Sequence, residues 1–198
     1  MDIIISVVLP YILLYKYWAI FTVTLLAALA FPIPPGALLM ASAAFASQGY
    51  LSFAWIVVVG SLGNIVGDNM GYWLARLYGK HIFYKIGLRK VIESERYKEA
   101  EKRLNKKSGF IIFITRFEVF SNLVVNILCG LSKVSYRKYL THLVFGEVCQ
   151  VLLYCSIGYM VGDNWQLVSK MISKSLLVTI ILLVLFVVLF RKKIWVRK

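Results

Sequence analysis

Three prolines and a glycine fall within five residues, Pro32-Ile33-Pro34-Pro35-Gly36, inside an apolar stretch that otherwise runs from residue 17 to residue 46. Proline lacks the amide N–H and clashes with the preceding turn, so no helix continues through such a cluster. In hydrocarbon the freed backbone groups find no water, and a break of this kind persists only where protein or a wet cavity covers it. The pattern predicts a re-entrant hairpin or a discontinuous helix, the device with which transporters build a site at membrane depth.

Composition supports a membrane setting. Of 198 residues, 60% are hydrophobic and 16% charged, and mean hydropathy is +0.76. Soluble domains sit near ~45–50% apolar and ~25% charged. The expected class is an all-α polytopic membrane protein. A net charge of +14 would suit nucleic acid, but eleven of the 23 basic residues lie in 76–107 and five more in 191–198. Both segments flank apolar runs, so positive-inside bias and attraction to anionic lipid account for them, and no nucleic-acid motif accompanies them. Nucleic acid is therefore not an expected partner. The basic loop 76–107 and the C-terminus are read as cytoplasmic. Cys129, Cys149 and Cys155 are far apart within apolar runs and give neither a disulfide framework nor a metal spacing. They are expected to be small apolar fillers, and no cofactor or metal is expected. The start, Met1-Asp2-Ile3, lacks the positive region of a cleaved signal, so the apolar N-terminus is expected to be retained.

Three regions follow. Residues 1–17, interrupted by Pro10 and Lys16, suit an interfacial helix or a short span. Residues 18–165 form the main membrane domain. Within it 17–31 is a helical run ending at the proline break. A second run, 37–46, resumes with the small residues Ala41-Ser42-Ala43-Ala44, which permit close helix contact. Residues 53–77 and 139–161 are long enough to span at 1.5 Å per residue, and 93–107 resembles a surface helix. Residues 109–130 are apolar but lie between two basic loops; if both are cytoplasmic, this segment enters and leaves on one side and is re-entrant as well. Residues 166–198 give a C-terminal span and a basic tail. Val66-Gly67-Asp68-Asn69 recurs as Val161-Gly162-Asp163-Asn164, each beside a Gly-Tyr pair, which suggests an inverted repeat, although Gly-Asp-Asn is also ordinary turn chemistry.

Several polar residues lie inside the apolar runs. A charge at bilayer depth costs about 2.5–3.5 kcal/mol even on the lenient insertion scale, so Arg116 and Glu118 should face a cavity or a partner. Arg116 either meets a phosphate, for which its planar fork is suited, or pairs with Glu118 or Glu147 to join two segments. Glu147 reads as its counter-ion, with a proton or cation carrier as the other reading. Asp68, one turn after Asn64, either lines a cavity wall or marks the end of its span. Asn122 and Asn126, four apart, share a helix face with Glu118, as a lumen stripe or as interhelical hydrogen bonds. His81 and His142 are too separated for a metal site and are expected at the interface. The tyrosines and tryptophans are expected mostly in headgroup belts.

The sequence Pro34-Pro35-Gly36-Ala37-Leu38-Leu39, followed by Gln48-Gly49, resembles the first re-entrant motif of the DedA family, also described as the SNARE-associated or VTT domain. The resemblance continues through Gly67-Asp68, Tyr72-Trp73, Arg76 and Gly79. It then takes in Phe113-Ile114-Thr115-Arg116-Phe117, Cys129-Gly130-Leu131-Ser132 and Gly158-Tyr159-Met160-Val161-Gly162, covering about 31–165. It implies two facing re-entrant hairpins and transport of undecaprenyl phosphate or phospholipid, with Pro34, Pro35, Gly36, Arg116, Asn122 and Asn126 at the substrate. The chain departs from the family where Gly36 replaces an acid and Asn122 an arginine. That puts proton coupling in doubt unless Glu118 or Glu147 substitutes.

The expected function is a lipid flippase or scramblase in a plasma membrane of bacterial or archaeal type, with membrane lipids bearing anionic headgroups as partners. The alternatives are an ion-coupled transporter or channel lined by Glu147, Asp68 and Glu118, and a non-transporting scaffold. No Gly-x-Ser-x-Gly elbow or His-Glu-x-x-His motif suggests an enzyme. A homo-oligomer is compatible with the pattern.

Overall fold

The computed structural model describes residues 15–85 except 30 and 32, residues 95–162 except 118, and residue 174. Most of the N-terminal region 1–17, the C-terminal span and tail, Pro32, Glu118 and Asp163-Asn164 therefore lie outside the described residues. The described chain is all helical. The six helices are α1 (Tyr17–Ala28), α2 (Pro35–Ser47), α3 (Phe53–Lys85), α4 (Glu95–Thr115), α5 (Val119–Leu131) and α6 (Tyr136–Met160).

Two of these are long and apolar enough to cross a membrane, Phe53–Gly79 of α3 and Tyr136–Met160 of α6. Gly79 ends the first, with φ 56° and ψ −156°, a left-handed conformation open to a residue without Cβ. The helices on either side of the proline cluster are short. α1 has 12 residues and α2 has 13, so each rises only about 18–20 Å against a hydrocarbon core of about 30 Å. Pro35 begins α2, where its missing N–H would have had no partner in any case. The second broken segment is similar: α4 bends at Lys107 (φ −130°, ψ 37°), its apolar end stops at Thr115, and α5 follows with 13 residues.

Close contacts fix the directions of these helices. Gly63 lies against Thr24 and Gly67 against Ala28, so α1 runs parallel to α3. Gly36 faces Tyr154 and Gly158 meets Met40, so α2 runs parallel to α6. Likewise Gly109 meets His142 and Gly146 meets Arg116, which makes α4 parallel to α6. Gly71 faces Asn126 and Gly130 meets Ala75, so α5 is parallel to α3. The two long helices are antiparallel, since Tyr72 stacks on Tyr139 while Asn64 bonds Glu147. Each pair of short helices thus clasps α3 and α6 from its own side.

Two apolar clusters result. One joins Ile20, Leu39, Ala43, Ile56, Val151 and Cys155 under the first helix pair. The other joins Tyr72, Leu104, Ile112, Val125, Cys129 and Leu143 under the second. Cys129 and Cys155 sit in these clusters, as small apolar fillers would, and Cys149 is half-buried. His142 is half-buried and its Nδ1 lies 2.8 Å from the Lys138 carbonyl.

Candidate functional site: a closed ion cluster

The second break places Arg116 immediately after the last residue of α4, between its apolar end and α5. The residue is 1% exposed, and so its charge must be answered by protein. Nη1 lies 2.5 Å from Asp68 Oδ2 and 3.4 Å from Glu147 Oε1. Nη2 donates to Asn126 Oδ1 at 2.8 Å, and Nε donates to the Ile112 carbonyl at 3.0 Å. Four elements therefore supply one guanidinium with acceptors. Even its own carbonyl is engaged, by Gln150 Nε2.

The acids are held just as closely. Helix α3 continues unbroken through Asp68, which is 0% exposed, so this residue does not mark the end of a span. Asn126 Nδ2 donates to Asp68 Oδ1 at 2.7 Å and to Asn122 Oδ1 at 3.2 Å, and Asn122 Nδ2 reaches Asp68 Oδ2 at 3.5 Å. Asn64 Nδ2 donates to Glu147 Oε2 at 2.8 Å. Glu147 Oε1 faces the Arg116 guanidinium, but Asp68 is the nearer carboxylate. The sequence marks Asp68 as a candidate ion or counter-ion residue without naming its partner, and the structure sets it against Arg116.

Other expectations need correction. Pro34, Pro35 and Gly36 are not brought to Arg116. Gly36 faces the Tyr154 ring on α6, seven residues and roughly 10 Å farther along that helix than Glu147. Tyr72 and Tyr139 are 0% exposed and do not belong to a headgroup belt. Their rings stack at 4.3 Å with 17° between planes. Tyr139 Oη lies 3.0 Å from Asn126 Oδ1 and 3.1 Å from the Asp68 carbonyl, and Tyr72 Oη donates to the Val134 carbonyl at 2.7 Å. Both are legible from spacing, since Tyr72 stands four residues after Asp68 and Tyr139 eight residues before Glu147 on the same helices, but composition assigns aromatics to the interface.

The comparisons with known proteins decide the family. The VTT domain matches residues 31–160, which is most of the chain. The chain is a member of the VTT-domain, or DedA, family. It is 25% identical over 191 residues to the uncharacterized membrane protein YkoX of Bacillus subtilis, covering 95% of this chain and 86% of that one. It is 28% identical over 143 residues to protein DedA of Escherichia coli, covering 68% and 65%. It is also 21% identical over 144 residues to undecaprenyl phosphate transporter A of B. subtilis, covering 73% of each. No solved structure matches it. As a family member with two spanning-length helices, the protein is an integral membrane protein.

Proposed function

We propose that this DedA protein carries a lipid with an anionic headgroup, a polyprenyl phosphate such as undecaprenyl phosphate or a phospholipid, across the membrane, with Arg116 as the headgroup contact. One observation carries the reading: a fully buried guanidinium stands at the break between the short apolar end of α4 and the 13-residue α5, and side-chain oxygens hold it. A phosphate presents the same paired oxygens as the Asp68 carboxylate and suits the guanidinium fork equally well. With all its acceptors in place, Arg116 is in a closed state. Transport requires Asp68 to release it as the headgroup enters. The relative named as an undecaprenyl phosphate transporter supports this choice of cargo.

On this reading both helix pairs, α1–α2 and α4–α5, are re-entrant hairpins, and they are halves of an inverted repeat. The packing supports one register. Gly63, Gly71 and Ala75 of α3 meet Thr24, Asn126 and Gly130, while Gly146, Tyr154 and Gly158 of α6 meet Arg116, Gly36 and Met40. Positions 63, 71 and 75 thus correspond to 146, 154 and 158. Asn64 and Glu147, bonded to each other, become equivalent positions on the pseudo-twofold axis. The tetrapeptide at 66–69 then aligns with 149–152, a different register from the Val161-Gly162 copy.

A second reading keeps coupling open. The cluster sets two carboxylates, Asp68 and Glu147, against one guanidinium, leaving room for one proton or cation. Liposomes separate the readings. Fluorescent polyprenyl phosphate, fluorescent phospholipid and a pH dye are followed for wild type, Arg116→Ala and Glu147→Gln. Lipid movement lost in Arg116→Ala supports the carrier. Ion flux without lipid movement favours the ion path, and neither favours a scaffold.

A further inference from the structure

A second arginine, outside the closed cluster, is placed quite differently. Arg76 is half-buried on α3, one turn before the Gly79 break that ends the span. Its guanidinium carbon lies 5.6 Å from the Tyr72 ring centre and 6.0 Å from that of Trp73. Nη1 donates to Tyr72 Oη at 2.5 Å and to the Val134 carbonyl at 2.9 Å. These contacts hold one edge of the guanidinium. The Nε and Nη2 donors have no acceptor among the described residues, and no carboxylate described here pairs with Arg76.

The Val134 contact ties this arginine to the turn between α5 and α6, which carries three further cations. Lys133 is exposed and held at φ 53°, and Arg137 and Lys138 are exposed in the first turn of α6. Their side chains make no ion pair with any described residue. The hydroxyl of Ser135, at the N-cap of α6, makes no capping bond to the first amides of that helix. An aromatic and apolar collar flanks Arg76 along the last turns of the α3 span and meets the α5–α6 turn at Tyr136. Trp73 and Tyr136 have ring centres 5.2 Å apart, and Leu74, Leu77 and Tyr78 are 51%, 72% and 57% exposed. An exposed apolar collar next to unpaired cations is the profile of the boundary between hydrocarbon and headgroups.

We propose that Arg76, Lys133, Arg137 and Lys138, framed by Trp73 and Tyr136, form a docking site for the phosphate headgroup of an anionic membrane phospholipid. The collar decides in favour of a lipid over a soluble anion, because the acyl chains of a lipid would cover Leu74, Leu77 and Tyr78 while its phosphate meets the cations. The site is distinct from Arg116. It is open where that cluster is closed, and it lies at the end of the span where that cluster lies within it.

The test is equilibrium quenching of Trp73, with Trp18, Trp55, Trp165 and Trp195 replaced by Phe. The protein is reconstituted in vesicles containing brominated phosphatidylglycerol or brominated phosphatidylcholine at equal mole fraction. Each basic residue at a membrane surface favours anionic lipid by about fivefold, so phosphatidylglycerol should quench Trp73 several-fold more strongly. The preference should vanish in Lys133→Gln/Arg137→Gln/Lys138→Gln, whose side chains pair with no described residue, and should fall in Arg76→Gln. Equal quenching by the two lipids overturns the proposal, as does a preference that survives in the triple variant. Loss of the preference on adding millimolar inorganic phosphate at constant ionic strength would reassign the site to a soluble anion. No lipid needs to cross the bilayer in this measurement, so its outcome is independent of transport.

Discussion

The two helix pairs that flank α3 and α6 share close apolar packing, but only the second adds a buried charge to it. Residues 17–47, which hold α1 and α2, contain no charged side chain. They are held by close approach: Gly63 and Gly67 admit α1, Gly158 admits the Met40 backbone, and 37–39 and 41–46 are buried. The second pair is held through Arg116, Asn122 and Asn126, which bond Asp68, Glu147 and Tyr139. Apolar contact of this density has no competitor that a ligand could supply. A polar contact does, since water or a phosphate can replace either partner. On the proposed transport reading, this difference makes the first pair the frame and the second the gate.

The largest expected effect tests that assignment directly. Arg116→Ala leaves two carboxylates buried without their cation, and breaking a buried pair in this way costs about 3–5 kcal/mol. A clear fall in the detergent melting temperature is expected, with partial recovery in Arg116→Ala/Asp68→Asn, which removes one stranded charge. Melting at the wild-type temperature would mean that charge does not hold the second pair. Next comes Asn126→Ala, which strips a partner from both Arg116 and Asp68. Hydrogen bonds to charged groups are worth about 1.5–3 kcal/mol each, so the loss should exceed that of Gly36→Ala at the equivalent position of the first pair. There the added methyl meets the Tyr154 ring, which can yield.

Gly158→Ala probes the frame. Its Cβ would overlap backbone atoms of Met40, which no rotamer change can move aside. Overpacking of this kind costs about 1–3 kcal/mol. The variant should melt earlier and still distinguish anionic from zwitterionic lipid in the liposome assay. A variant that loses lipid selection without losing stability would place the gate in the first pair and reverse the assignment.

Much of this was legible in the sequence because single residues dictate it. The proline cluster predicts the first break, since proline forbids helix continuation wherever it falls. Arg116 is recognisable as a buried cation that needs a phosphate or a carboxylate such as Glu118 or Glu147, because an apolar run gives a charge few alternatives. What sequence could not supply was the pairing across helices. Asp68 lies 48 positions from Arg116, and nothing local says that α3 and α4 meet there. The family resemblance groups Gly36 with Arg116 at the substrate, yet parallel packing of α2 on α6 carries Gly36 to Tyr154 instead. Tyr72 and Tyr139 were assigned to the interface for a related reason. A tyrosine suits a headgroup belt or a buried network equally well, and only its partner distinguishes the two.

The smallest expected effect isolates that network from the packing around it. Tyr139→Phe keeps the ring, and therefore the 4.3 Å stack on Tyr72, but removes the hydroxyl that lies 3.0 Å from Asn126 Oδ1. Asn126 Oδ1 still accepts from Arg116 Nη2, so no buried acceptor is orphaned, and the Asp68 carbonyl keeps its place in the helix. Loss of one hydrogen bond without an orphan should cost about 1 kcal/mol, a shift of a few degrees in melting temperature. If the gate depends on Asn126 keeping its amide oxygen toward Arg116, the same change should alter transport by more than its effect on stability implies. A variant with an unchanged rate would confine the gate to Arg116, Asp68 and Asn126, with the two tyrosines serving only as packing between the long helices.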